Sequence, residues 1–198
     1  DATDAEVFTA RGQAHRLLQE FRPAVADFNI AIKLEPANPA YWNGRCWIRA
    51  EAGKELAIAL QDCKKAQHLS PQFFAAFDSS GLVHLRLRQY ARAIRDYGTA
   101  IRLHPDYATA YFGRGLAKLH LNQIASGQSD VRTARRIDPD IDSYFSRMGL
   151  TGHGLAMPRA GHVNPRKNEQ HSPQNERIPN DVAPQMMLKK PLVPSTQP

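Results

Sequence analysis

Prolines at positions 36, 71, 105 and 139 stand 35, 34 and 34 residues apart. Each closes a similar phrase: Leu34-Glu35-Pro36, Leu69-Ser70-Pro71, Leu103-His104-Pro105 and Ile137-Asp138-Pro139. The proline ring removes an N–H and disfavours helix in the preceding residue, so each marks the end of a helix. A period near 34 is that of stacked helix-turn-helix units, each burying its apolar face on its neighbours. The expected fold is therefore all-α, an α-solenoid. Its usual product is a shaped surface, which points to binding rather than catalysis.

Counting back from the prolines gives repeats at about 5–38, 39–73, 74–107 and 108–141, each read as a helix A, a turn and a helix B. An aromatic stands near the start of each A helix (Phe8, Trp42, Phe77, Tyr111), and a small residue follows four positions on (Gly12, Cys46, Gly81, Gly115). The B helices repeat small residues at Ala24, Ala59, Ala93 and Gly127 and again at Ala31, Ala66, Ala100 and Ala134. Phe28, Cys63, Tyr97 and Val131 lie between these two sets. Small side chains on both helices let the axes approach while large ones fill the grooves beside them.

This arrangement resembles the tetratricopeptide repeat, over residues 5–141, and the resemblance implies that the α-solenoid of four units is right-handed. More narrowly, Arg45-Cys46-Trp47, Asp62-Cys63 and Tyr111-Phe112-Gly113-Arg114-Gly115 resemble small bacterial tetratricopeptide proteins. Two departures stand out. The second repeat is one residue long, and the extra residue fits the turn around Ala52-Gly53-Lys54. The leucine that the pattern places before the small A residue is replaced by Arg11, Arg45, Ser80 and Arg114.

After Pro139, Asp142 is positioned to N-cap a short segment, Ser143 to Leu150, that would cover the last repeat. The helical domain is thus expected over 1–150, with its cap at 142–150. Residues 151–198 hold eight prolines and no aromatic residue and read as a disordered tail. The 198 residues suffice for one such domain and a tail, and no apolar run approaches the ~18–20 residues of a membrane span. The chain begins Asp1-Ala2-Thr3, which leaves the compartment open between cytoplasm and an exported location.

The resemblance implies that the A helices line a concave groove. Its groove positions select Thr9, Gln13 and Arg16; Asn43 and Trp47; Asp78, Leu82 and Arg86; Phe112, Leu116 and His120. Trp47, Leu82, Phe112 and Leu116 would be the apolar anchors. Aromatics flanked by polar groups suit a peptide or a helical segment, so the expected role is a non-enzymatic scaffold or adaptor with a protein partner. Packing between A helices, or against the chain's own tail, is the competing explanation. A clamp for the carboxylate tail of heat-shock chaperones is excluded, because its lysine, asparagine and arginine positions hold Thr9, Gln13, Gly44, Ala75 and Ser79, leaving no cationic cradle.

Cys46 and Cys63 should face each other across the second hairpin. Two buried thiols that compensate each other in volume are the favoured reading, and a disulfide is the sharper alternative. The eight histidines show no metal-ligand spacing, and no Gly-rich phosphate loop or hydrolase motif is present. No cofactor is expected. The net charge of +7 divides as +4 over residues 1–150 and +3 over 151–198. The second functional class is therefore contact with nucleic acid or another polyanion through Arg132, Arg135, Arg136 and the tail. Nucleic acid is the less favoured partner, because no run of five like charges occurs. Pro191-Leu192-Val193-Pro194 also fits a PxxP core.

Overall fold

The computed structural model describes residues 4–150 of the chain; the tail expected over 151–198 lies outside them. The order of helices is α1 (Asp4–Leu17), α2 (Phe21–Leu34), α3 (Pro39–Ala52), α4 (Leu56–Leu69), α5 (Phe74–Arg86), α6 (Tyr90–Leu103), α7 (Ala108–His120), α8 (Ile124–Ile137) and α9 (Ile141–Arg147). The odd-numbered α1, α3, α5 and α7 are the A helices and α2, α4, α6 and α8 the B helices. Each A helix packs on its own B helix, α3, α5 and α7 pack in addition beneath the B helix of the repeat before, and α5 touches both α3 and α7.

Glycine at two positions sets how closely the repeats stack. A Cβ on Gly44 would lie 2.1 Å from the Phe28 ring, and one on Gly113 2.2 Å from the Tyr97 ring. The large B side chain of one repeat therefore rests directly on the backbone of the next A helix. Phe28 centres one apolar cluster with Ala24, Ala31, Ile32, Tyr41 and Ile48. A second runs from Cys46 through Tyr97, Phe112 and Val131 to Phe145 and Met148.

The replaced leucines have a physical account. Arg11, Arg45 and Arg114 each grip an aspartate on the paired B helix with two hydrogen bonds. These join Arg11 to Asp27 at 2.9 and 2.5 Å, Arg45 to Asp62 at 2.9 and 2.5 Å, and Arg114 to Asp130 at 2.8 and 2.7 Å. Each guanidinium also lies over its repeat's leading aromatic, Phe8, Trp42 or Tyr111, at 5.0–5.4 Å. In the third repeat Ser80 donates to Asp96 at 2.6 Å instead. Bidentate charge-assisted pairs fix geometry as well as energy, so one polar cross-tie per hairpin takes the place of an apolar contact.

The second repeat differs in two ways. Elsewhere the left-handed turn residue (Gln19, Arg88, Asn122) is followed by one residue before helix B begins; here Gly53, at φ 65°, is followed by Lys54 and Glu55. Glu55 then accepts from Arg49 at 2.9 Å, and Arg49 also donates to Asp62. Cys46 and Cys63 are joined in a disulfide with a Cα–Cα distance of 5.5 Å. This replaces the favoured reading of two thiols: the hairpin brings both backbones within the ~7 Å that bridging needs.

The terminal segment also departs from expectation. Asp142 caps nothing; its carboxylate accepts two bonds from Arg135, both at 2.7 Å, and Asp140 stands at the N-cap position of α9. A fork-shaped guanidinium competes well for a carboxylate against a single backbone N–H.

Candidate functional site

The face lined by the A helices is where the sequence placed its binding residues, and α9 lies against it. Tyr144 stacks on Trp47 of α3, with ring centroids 6.4 Å apart and planes inclined by 11°. Phe145 meets Phe112 of α7 at 4.5 Å. Arg86 of α5 donates through Nη2 to the carbonyls of Met148 and Glu51, both at 2.8 Å. Met148 is the C-cap of α9, so Arg86 satisfies a carbonyl at the end of that helix, where a cation is also favoured by the helix dipole. Burial pulls the Arg86 pKa below its ordinary value, an effect partly opposed by Glu51.

Beside α9 a cavity of about 280 Å3 remains, lined by Gln13 and Arg16 of α1, Asn43, Gly44 and Trp47 of α3, Ala75 and Ser79 of α5, Tyr107, Thr109 and Tyr144. Arg16 is anchored to Glu51 at 2.9 Å. Asn43 Oδ1 and Ser79 Oγ are buried without a hydrogen-bond partner. Behind this wall Asp78 accepts from Thr109 at 3.3 Å, and burial raises its pKa to about 7 against that hydrogen bond. Burial likewise pushes Tyr107 up to about 12 and raises Tyr144 further. On the far side of α9 a larger cavity of about 470 Å3 takes in Arg86, Leu116, His120, Gly149 and Leu150.

Comparison with known proteins agrees with this architecture. The tetratricopeptide-repeat family matches residues 80–139. The TPR domain of Arabidopsis OM64 is similar at 28% identity and a TM-score of 0.56, covering 59% of this chain and 96% of that one. A thermophilic TPR protein of Thermus thermophilus is similar at 18% identity and a TM-score of 0.67, covering 76% and 84%. Residues 80–139 carry tetratricopeptide repeats. The first TPR domain of Spaghetti, solved with an HSP90 peptide, is similar at 21% identity and a TM-score of 0.57, covering 62% and 96%. No curated protein matches the sequence.

The eleven residues selected from the tetratricopeptide groove positions fall into three groups. Gln13, Arg16, Asn43 and Trp47 come together around the smaller cavity, with Thr9 half-buried further along α1. Asp78, Leu82, Phe112 and Leu116 are buried, so Leu82, Phe112 and Leu116 are not free apolar anchors. Phe112 is covered by the chain's own α9. Arg86 holds α9, and His120 stacks on Tyr90 at 4.5 Å.

Two features escaped the sequence reading: the Arg–Asp cross-ties and the placement of α9. The first left a readable signal, since Asp27, Asp62, Asp96 and Asp130 recur with the repeat period. The second left none, because a seven-residue helix has no period of its own. Among the described residues no group of three or more His, Cys, Asp or Glu side chains is placed to hold a metal ion, and no helix is long and apolar enough to cross a membrane.

Proposed function

We propose that this protein is a non-enzymatic scaffold that binds a short peptide or helical segment along its A helices. The supporting observation is α9 itself. A seven-residue helix lies on α3, α5 and α7 through two aromatic contacts and one capped carbonyl, the kind of engagement a partner segment would make. Beside it, Gln13, Arg16, Asn43 and Trp47 surround open space, and in its wall Asn43 Oδ1 and Ser79 Oγ are buried without a hydrogen-bond partner, so a peptide laid there would meet both polar and aromatic groups. The Spaghetti domain's acidic peptide is a poor guide to the ligand here. The clamp positions hold Thr9, Gln13, Gly44, Ala75 and Ser79, and Arg16 is already held by Glu51.

The test is affinity capture with the full chain beside Trp47→Ala and Asn43→Ala variants of matched helicity. Loss of the same partner from both variants, by tenfold or more, is the expected result. Capture unchanged by either substitution would place the binding surface elsewhere.

A second reading is favoured by a separate observation. Each B helix carries a single acidic residue (Asp27, Asp62, Asp96 or Asp130), and each is turned inward onto its A helix. The outward side of the B helices therefore keeps its cations without acidic neighbours on the same helices. Three residues before each repeat proline stand Lys33, His68, Arg102 and Arg136, all exposed. We infer a capacity to bind a polyanion on this side. Arg132 and Arg136 contribute, whereas Arg135 is committed to Asp142.

A further inference from the structure

Asp27, Asp62, Asp78 and Asp130 are the buried aspartates among the described residues. Arg11, Arg45 and Arg114 each bond one of the other three while lying over an aromatic ring, Phe8, Trp42 or Tyr111. Asp78 is the exception. Its Oδ2 accepts from Thr109 at 3.3 Å, and its Oδ1 has no hydrogen-bond partner. Burial raises its pKa, and the Thr109 bond is what opposes that rise; no cation among the described residues takes part. A buried carboxylate is ordinarily paired. Thr109 and Ser79, the next residue along α5, both line the cavity of about 280 Å3, and Ser79 is buried with its Oγ unpartnered. Trp47, Tyr107 and Tyr144 add three aromatic rings to that lining. The pKa of each tyrosine is raised by burial and further by the Asp78 charge, which places that charge beside the cavity. Among the described residues Arg16 is the one charged side chain of the lining, and Glu51 neutralises it at 2.9 Å. A space of this size is below the ~300–1,000 Å3 of a drug-sized ligand site and suits a single side chain.

We propose that this cavity receives a cationic side chain, the guanidinium of an arginine or the ammonium of a lysine, from the segment bound along the A helices. The inference rests on the reading of that face as a peptide-binding groove and adds the charge of the residue that enters it. The incoming cation takes the role that Arg11, Arg45 and Arg114 fill inside the hairpins, in company with aromatic rings and a carboxylate. Aromatic faces attract a cation through their quadrupole, and more strongly where water is excluded. Asp78 acts across the breadth of Thr109, in an interior that screens charge far less than water does. The same carboxylate disfavours an acidic side chain, so the cavity selects by charge as well as by shape.

The test titrates the full chain with n-propylguanidinium and n-butylammonium as side-chain probes, butanol as the neutral counterpart and butyrate as the anion, at constant ionic strength. The indole resonances of Trp47 report occupancy, and Trp42, which lies outside the lining, is the control. The measurement is made at pH 8, above the value of about 7 to which burial lifts Asp78. Both cations are expected to shift Trp47 saturably and to bind about fivefold or more tightly than butanol, with no saturation by butyrate. Asp78→Asn, checked for wild-type helicity, is expected to remove the preference for cations and to leave the butanol response in place. The wild-type comparison of cation with butanol needs no variant. Equal affinity for cation and butanol, or no shift of Trp47 with either cation, would overturn the proposal. So would a preference that survives Asp78→Asn. The groove itself is judged separately, by partner capture through Trp47 and Asn43, so it stands or falls apart from the charge of the residue that enters it.

Discussion

Asp78 shows how one buried side chain can set the pH response of the whole array. It is fully enclosed on α5, its Oδ2 accepts from Thr109, and its Oδ1 has no partner. Tyr97, Tyr107 and Tyr144 lie near it, all with pKa values raised by burial, so none supplies a compensating charge between pH 4 and 8. Burial lifts the Asp78 pKa from an ordinary carboxyl value to about 7. The folded chain then keeps a proton that the unfolded chain releases near pH 4. Stability is accordingly highest below that point and falls as pH rises towards 7, by about 1.4 kcal/mol per pH unit where the two states differ by a full proton. Asp78→Asn keeps the shape and removes the titration. Urea unfolding at pH 5, 6 and 7 should show a falling midpoint for the wild type and a flatter one for the variant. Parallel curves would mean that Asp78 ionises freely in the folded state. The sequence selected Asp78 as a groove residue by its position in the repeat, and that position was informative about the helix face. Depth was not readable, because it depends on α7 and its Thr109, one repeat away.

At the scale of elements, the repeat period made the four hairpins legible, since prolines, small residues and large residues recur together. What the period could not show lies where it is broken. The extra residue of the second repeat sits in the turn 53–55, and Glu55 from that turn joins Asp62 in holding Arg49. The same hairpin carries the disulfide, which joins α3 to α4 across a sequence separation of 17. Closing a loop of that size is worth about 3 kcal/mol through the entropy removed from the unfolded chain. Cys46→Ala with Cys63→Ala, or reduction of the wild type, should lower the unfolding free energy read from urea titration by that amount, and the midpoint with it. The Arg45–Asp62 tie remains and keeps the hairpin together, so helicity should not change. Identical midpoints for oxidised and reduced protein would show that the bond contributes nothing to stability. The docking of α9 was illegible for a related reason. Tyr144 and Phe145 fall within the short segment expected to cover the last repeat, but their partners Trp47 and Phe112 stand in two different repeats.

Taken whole, the molecule separates its charges, and this follows from the cross-ties inside each hairpin. Every arginine that replaces a leucine on an A helix draws one aspartate inward, and that aspartate is the only acid its B helix possesses. Exposed cations on the B helices, among them Lys33, Lys64, Lys65, Arg92, Arg102, Arg132 and Arg136, therefore face solvent with no acid on their own helices to balance them. On the proposed polyanion reading, these cations supply the long-range attraction. No aromatic residue lies fully exposed on these helices to stack on bases, so attachment rests on charge and should tolerate sequence. The measurable mark is salt. For roughly four phosphate contacts, the affinity for a labelled DNA duplex should fall on the order of a hundredfold between about 50 and 200 mM salt. A poly-glutamate peptide should compete with the duplex. Arg102→Glu with Arg136→Glu should weaken binding and flatten the salt slope, because two cations of the ladder then repel the ligand. Binding that ignores salt, or that survives this reversal of charge, would show that the outward side of the B helices is only a solvated surface. The groove along the A helices would then be left as the one binding face of the scaffold.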